Sequence, residues 1–169
     1  MQATDDQGAL KVRQAHHGDV DLIYRLIKAL AEYEKEPDAV VGTPEMIERW
    51  LFGQNPAAEA LIAEVEGKTA GFAVFYRTFS TWECAPGIWL EDLFVLPEMR
   101  RHGVGESLLR AVAQITVERG YTRLGWAALD WNEMALGFYR KLGATVLDEW
   151  EMLRLTRGAL EAVAGKQGV

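Results

Sequence analysis

The sequence is poor in the residues from which disulfides and metal sites are built. Its 169 residues include one cysteine, Cys84, and three histidines. A single cysteine excludes an intrachain disulfide and a cysteine metal cluster. Two of the histidines, His16 and His17, are adjacent and do not have metal-ligand spacing. We therefore expect no metal.

Long apolar runs and an excess of basic residues are also missing. No run approaches the roughly 20 apolar residues that span a bilayer, and the polar, acidic start of the chain does not resemble a signal peptide. The formal net charge of −7 argues against a nucleic-acid or anionic-membrane surface and suits a cationic ligand. We expect a cytoplasmic enzyme or binding domain with neither nucleic acid nor membrane as a partner.

The hydrophobic pattern predicts one α/β domain. Residues 1–9 are polar and are expected to be flexible, and residues 10–169 are expected to form a single domain. The predicted order is β, α, α, β, β, β, α, β, α, β, which gives a central mixed β-sheet with helices on both faces. Asp19 is the expected N-cap of the first helix. Residues 79–87 are expected to form a loop, and Thr145–Leu155 the final strand.

A strand, a glycine turn and a helix form the centre of this pattern. The nearly continuous apolar stretch Ile88–Leu96 predicts a strand covered on both faces, although it contains Glu91 and Asp92, which should point to opposite faces. Gly103 and Gly105 then turn the chain into a helix expected to begin near Glu106.

The glycine turn has the features of an anion site. Backbone N–H groups are bare at a helix N-terminus, the helix dipole is positive there, and Arg100 and Arg101 add charge. An ordinary strand-to-helix turn with two solvated arginines explains the glycine pattern equally well.

The motifs resemble a known superfamily over nearly the whole chain. The Arg100-x-x-Gly103-x-Gly105 turn after a strand, with Asn132 and Tyr139 in the following helix, is similar to the GNAT superfamily of acetyl-coenzyme A N-acetyltransferases. The segments that resemble its diamine acetyltransferase (spermidine/spermine N1-acetyltransferase) family are Leu90-Glu91-Asp92, Leu129-Asp130-Trp131-Asn132, Phe138-Tyr139 and Leu142-Gly143-Ala144. Ser80-Thr81-Trp82 and Leu129-Asp130 resemble the thialysine N-epsilon-acetyltransferase branch, because the polyamine branch has an acidic residue in place of Ser80.

The resemblance implies the GNAT acyl-CoA N-acyltransferase fold and acetyl-CoA as the acyl donor. The pyrophosphate would lie on the amides of the glycine turn, and the pantetheine would pair with the preceding strand. The residues expected at the donor are Leu93, Phe94, Val95, Arg100, Arg101, His102, Gly103, Val104, Gly105, Glu106 and Asn132.

Two residues are predicted to move protons. An ammonium group cannot attack a thioester until it loses a proton, and Glu91 is the candidate base, directly or through water. Tyr139 is the candidate acid that protonates the departing thiolate. It follows Asn132 by seven residues, about two helical turns, so both should lie on one side of their helix. The alternatives are a structural ion pair for Glu91, a core position for Tyr139 and an N-cap for Asn132.

The expected substrate contacts are Tyr33, Glu34, Ser80, Thr81, Trp82, Glu91, Asp92, Leu129 and Asp130. The first two, with Glu36, form an acidic, aromatic lip, although a solvated helix end has the same composition. Glu91 and Asp92 are the carboxylates of the central strand, and the other residues follow from the resemblance.

The predicted function is direct transfer of an acetyl group from acetyl-CoA to a primary amine of a small molecule, a thialysine-like amino acid or a diamine. The alternatives are a polyamine acetyltransferase, a protein-lysine or N-terminal acetyltransferase, and a non-catalytic acyl-CoA-binding domain. The resemblance also implies a homodimer, to which the apolar segment around Trp150 and Leu153 could contribute.

Overall fold

A computed structural model of the chain describes residues 10–165. The predicted flexible segment 1–9 lies outside the described residues. The chain forms two compact units that divide between Ala127 and Ala128. The elements of the first unit are β1 (Leu10–Gln14), α1 (Val20–Tyr33), α2 (Pro44–Phe52), β2 (Glu59–Val65), β3 (Lys68–Ser80), β4 (Ala85–Val95), α3 (Val104–Glu118) and β5 (Leu124–Trp126). Those of the second are α4 (Glu133–Lys141) and α5 (Arg157–Val163).

The first unit is built on a mixed five-stranded sheet. The strand order is β1-β2-β3-β4-β5, with antiparallel pairing from β1 to β4 and parallel pairing between β4 and β5. The helical crossover through α3 makes β4 and β5 parallel neighbours, as the sequence predicted. The α/β class is thereby confirmed.

Helices cover both faces of this sheet. Ile23, Leu26 and Leu30 of α1 form a buried cluster with Phe72 and Phe94 on one face. Successive strand residues point to opposite faces, so Ala73 and Phe75 are buried on the other side. There α3 packs against β3 and β4 through its own buried stripe of Val104, Leu108 and Val112.

Two boundaries and one helix cap differ from prediction in the first unit. The expected loop at 79–87 is shorter, because β3 and β4 pair as far as Ser80 and Ala85. Helix α3 begins at Val104, since Gly103 adopts φ +72 and turns the chain directly into the helix. Asp19 does not cap α1 with its side chain: its carboxylate accepts hydrogen bonds from Arg13 and from the backbone N–H of His16.

The predicted final strand is wrong. Residues 144–156 form no strand in the structure, and helix α5, which the pattern did not predict, follows them. Their large apolar side chains are exposed, Trp150 by 63% and Leu153 by 93%. A β-forming sequence becomes a strand only where a partner strand supplies hydrogen bonds, and none pairs with this segment among residues 10–165.

Candidate active site

A β-bulge interrupts the pairing of β3 with β4 at the carboxylate pair. Val74 lies opposite Asp92, and Phe75 lies opposite Leu90, so Glu91 is an extra residue without a partner. Residues opposite each other share a face of the sheet, whereas consecutive residues face opposite sides. Leu90 therefore faces one side and Asp92 the other, and the bulge has shifted the alternation by one residue.

The side chain of Glu91 lies on the same face as Asp92. Trp89 Nε1 donates a hydrogen bond to Glu91 Oε2 at 3.1 Å, and the Tyr76 hydroxyl is hydrogen-bonded to the same carboxylate. Trp89 and Tyr76 are opposite each other and share the face of Val74, which is the face of Asp92. The prediction that the two carboxylates point to opposite faces is therefore wrong, because a bulge adds a residue that simple alternation does not include.

The pKa values of three groups near the bulge, Asp92, Glu34 and Tyr76, are raised by their surroundings. Burial and, to a smaller extent, the negative charges of Glu91 and Glu34 together raise the pKa of Asp92 to about 6. Burial also raises the pKa of Glu34. Burial, followed by the charge of Glu91, raises the pKa of Tyr76, so the phenol remains protonated and donates. Three carboxyl groups thus share a negative region that a cation would stabilise.

The C-terminal end of α1 supplies the third carboxyl group. Tyr33 is the last residue of α1, and its ring centroid lies 6.1 Å from that of Phe94 in β4. The guanidinium carbon of Arg100 lies 4.5 Å from the centre of the Tyr33 ring. Glu34 follows directly, and its negative charge contributes to the raised pKa of Asp92. The contact of Tyr33 with Phe94 places the predicted lip beside the part of β4 that contains the carboxylate pair.

One edge of β4 is open beyond the bulge. β5 pairs with β4 only from Ile88 to Leu90, and no strand among the described residues lies beside Glu91–Val95 on that side. The N–H of Leu96 donates a hydrogen bond to the carbonyl of Ala70 at 2.9 Å, so Leu96 and Ala70 are a hydrogen-bonded pair of the β3–β4 ladder.

Hydrogen-bonded and non-bonded pairs alternate along an antiparallel ladder. Phe94 is therefore bonded to β3, while the backbone amide groups of Leu93 and Val95 point to the open edge. An extended ligand that contains amide groups fits this edge, because it can complete the missing ladder.

The turn after β4 presents backbone N–H groups at the start of a 15-residue helix. Among the described residues, no side chain caps this terminus, and buried Val104 anchors it in the sheet. His102 Nδ1 lies 3.4 Å from the carbonyl of Met99. The amides of Val104, Gly105 and Glu106 suit phosphate oxygens.

The hairpin tip holds another set of predicted substrate residues in a different setting. Ser80 is only 4% exposed, and its hydroxyl accepts a hydrogen bond from the N–H of Glu83 at 3.3 Å. Thr81 is exposed, and Trp82 is 87% exposed. The structure does not bring this set to Glu91, since Ser80 is six residues, about 20 Å, along β3 from the bulge.

The second unit contains the predicted acid. Burial raises the pKa of the Tyr139 phenol, which therefore stays protonated at neutral pH. Asn132 caps α4: its side-chain oxygen accepts a hydrogen bond from the N–H of Ala135 at 3.2 Å. Leu129 and Asp130 are exposed in the segment before the helix. The N-cap alternative for Asn132 is confirmed.

Sequence reasoning missed Tyr76 and Trp89, which orient Glu91. The only signal was that both are amphipathic aromatic residues in strands next to the carboxylate pair. Within residues 10–165, no group of three or more His, Cys, Asp or Glu side chains is arranged to hold a metal. No helix in that range is both long and apolar enough to cross a bilayer.

The fold and the site define an α/β protein with a bulged, carboxylate-bearing strand whose edge is open to an extended ligand. Residues 23–144 match the acetyltransferase (GNAT) family. A thialysine N-epsilon-acetyltransferase from Bos taurus is 37% identical, over 92% of this chain and 97% of that protein. A spermidine/spermine N(1)-acetyltransferase-like protein 1 from Homo sapiens is 32% identical, over 93% of this chain and 24% of that protein.

Solved structures agree with the fold. An integron cassette protein from the mobile metagenome of V. cholerae superposes with a TM-score of 0.76 at 24% identity, over 92% of this chain and 97% of that one. The chain belongs to the acetyltransferase (GNAT) family, as its motifs predicted. It is an N-acetyltransferase that acts on an amine, and the family generally uses acetyl-CoA as the acetyl donor.

Proposed function

We propose that the protein transfers an acetyl group from acetyl-CoA directly to the terminal primary amine of a small thialysine-like amino acid. The observation that carries this proposal is the gathering of Glu34, Glu91 and Asp92 beside Tyr33, at the bulge of β4. Three carboxyl groups and an aromatic ring suit an alkylammonium ion. The similarity to thialysine N-epsilon-acetyltransferases supports the same amine class.

Acetyl-CoA supplies a thioester that an uncharged amine can attack. The residues that would hold it are Leu93 and Val95 through their outward amide groups, and His102–Glu106 through the N–H groups at the start of α3. Phe94 would support this edge from the core, with Arg101 near the phosphates.

Proton removal is assigned to the carboxyl pair. A lysine-like amine has a pKa of about 10.4, so most of it is charged at neutral pH. Glu91 is the proposed acceptor, directly or through water, and Tyr76 and Trp89 keep its oxygens in place. Asp92, whose pKa is raised to about 6, is a second carboxyl group that can take up the proton.

Tyr139 is the proposed proton donor to the thiolate. Its raised pKa supports this role, because a donor must be protonated at the working pH. Asn132 is proposed to contact the donor as well as to cap α4. Leu129, Asp130, Thr81 and Trp82 remain proposed substrate contacts on the strength of the family motifs alone.

A polyamine substrate is the second candidate. The three carboxyl groups favour a molecule with more than one ammonium group, and the human relative is named for spermidine and spermine. A homodimer and a cytoplasmic location remain proposals that rest on the sequence.

The test is the initial rate of CoA thiol release with thialysine, lysine, putrescine, spermidine and a lysine peptide. We expect thialysine to give the highest kcat/KM and Tyr139→Phe to reduce it, while the matched Tyr121→Phe leaves it near wild type. Spermidine as the best substrate would replace the thialysine proposal with the polyamine one. Equal rates for Tyr139→Phe and wild type would remove Tyr139 from the chemistry.

A further inference from the structure

Arg100 connects two regions that the proposed function assigns to different substrates. Its Nε donates to the carbonyl of Val95 at 3.3 Å, on the open edge of β4. Its guanidinium carbon lies 4.5 Å from the centre of the Tyr33 ring, at the amine-binding lip. The residue itself is only partly exposed.

The contact with Tyr33 determines where the end of α1 lies. The centroid of the Tyr33 ring lies 6.1 Å from that of Phe94 on the sheet, and the guanidinium carbon of Arg100 lies 4.5 Å from the same centroid, so the end of α1 contacts both residues. Glu34 is the next residue, and its charge contributes to the raised pKa of Asp92. A shift of Tyr33 would therefore move a carboxyl group of the proposed amine site.

The neighbouring arginine provides a contrast. Arg101 is exposed, has φ +67 and makes no hydrogen bond or ion pair with residues 10–165. Its charge is available at the turn that leads into α3. The two arginines of the motif therefore occupy different environments, and of the two only Arg100 contacts the Tyr33 ring.

We propose that Arg100 is a positioning residue for the amine substrate, and that it couples the amine site to the donor site. This inference rests on the proposed function. The guanidinium stacks on Tyr33 and holds Tyr33 and Glu34 against the carboxylate pair. The same side chain donates a hydrogen bond to the carbonyl of Val95 on the open edge. Acetyl-CoA bound at this edge therefore also fixes the positions of Tyr33 and Glu34 through Arg100. Arg101 acts on the donor phosphates.

The test compares Arg100→Lys with Arg101→Lys. Lysine keeps the charge in both variants but lacks the planar, delocalised group that stacks on an aromatic face. We expect Arg100→Lys to raise the KM for the amine about tenfold, with the Kd for acetyl-CoA within about twofold of wild type. Arg101→Lys, at the donor phosphates, should instead change the Kd for acetyl-CoA more than the KM for the amine. Calorimetry measures the Kd for acetyl-CoA, and the far-UV circular dichroism of each variant shows that it is folded.

A double-mutant cycle with Tyr33→Leu tests the contact itself. If Arg100 acts through Tyr33, the double variant should have the same amine KM as Tyr33→Leu alone, rather than the product of the two effects. Multiplicative effects, or an Arg100→Lys variant that loses acetyl-CoA affinity but keeps its amine KM, would overturn the inference and leave the proposed function standing. A wild-type enzyme that acetylates none of the amines would overturn both.

Discussion

The β3–β4 hairpin contains residues expected to bind the substrate at its tip and, toward its open end, at the bulge, and these two ends differ in how their polar groups are used. At the tip, the hydroxyl of buried Ser80 accepts a hydrogen bond from the turn that it closes, and the Thr122 hydroxyl donates to Glu83. At the bulge, Glu91 and Asp92 lie on one face near Glu34, and burial and like charge raise the pKa of Asp92. At the tip, the polar groups form hydrogen bonds with one another. At the bulge, the carboxylates carry like charges and repel one another.

This difference indicates where function resides. A fold that served stability alone would not place like charges side by side, whereas binding and catalytic sites commonly have perturbed carboxyl groups. The bulge end therefore has the features of a binding site in which a bound cation would offset the repulsion between carboxylates. The tip has those of a well-formed turn, and variants at the two ends should change different quantities.

The largest expected effect is that of Glu91→Gln on catalysis. The amide keeps the shape and still accepts a hydrogen bond from Trp89 but cannot take a proton, so kcat/KM for the amine should fall on the order of 100-fold. The measurement is thiol release at saturating acetyl-CoA, with Glu118→Gln, an exposed residue of α3, as the control. A variant within threefold of wild type would remove Glu91 as the base.

Asp92→Asn should lower activity and raise stability. The pKa of Asp92 is about 6 in the folded chain and ordinarily 3.8. The stabilisation from its protonated form is therefore complete below pH 3.8 and is lost as the pH rises through about 6. Since asparagine avoids the buried charge, the free energy of unfolding at pH 7.5 should rise by about 1–2 kcal/mol, with little change near pH 4.

Urea unfolding at the two pH values measures this effect, with Asp148→Asn as an exposed control. In wild type, kcat/KM should also fall below a pH of about 6 as Asp92 becomes protonated. A less stable Asp92→Asn protein at pH 7.5 would mean that the carboxylate is well solvated or paired, contrary to the proposed site.

Tyr76→Phe should have a smaller effect on the same end of the hairpin. It removes one of the two side-chain donors to Glu91 while keeping the ring, so we expect kcat/KM to fall about fivefold with stability nearly unchanged. Tyr24→Phe on α1 is the matched control. If the two variants have the same kinetics, the Tyr76 hydroxyl does not orient the base.

The sequence predicted the central unit because its features are local. A continuous apolar run, glycines that permit positive φ and an apolar helix stripe are each present in a single segment. The cap at Asn132 is local as well. The bulge was not predictable, because it is a register difference between two strands and leaves no mark in either one alone.

Two further differences have the same origin. The stretch Thr145–Leu155 has a β-forming composition, yet a strand exists only with a partner, which the segment's own residues do not specify. Arg100 was expected at the donor because of its place in a motif, and its additional contact with Tyr33 was not predicted. Its contact with Tyr33 joins residues 67 positions apart, and single-segment patterns contain no information on such contacts.

Ser80→Ala should have the smallest effect, and at the hairpin tip it should change stability more than catalysis. Deleting the hydroxyl leaves the N–H of Glu83 without its acceptor in the turn, which should lower the free energy of unfolding by about 1 kcal/mol. Urea unfolding measures this change, and Thr81→Ala, at an exposed position in the same turn, serves as the control for stability. If Ser80→Ala instead keeps its stability and raises the KM for thialysine, then the hydroxyl binds substrate as the family motif suggests. The two ends of the hairpin would then belong to one site, because a residue about 20 Å along β3 from the bulge would contact the same amino acid.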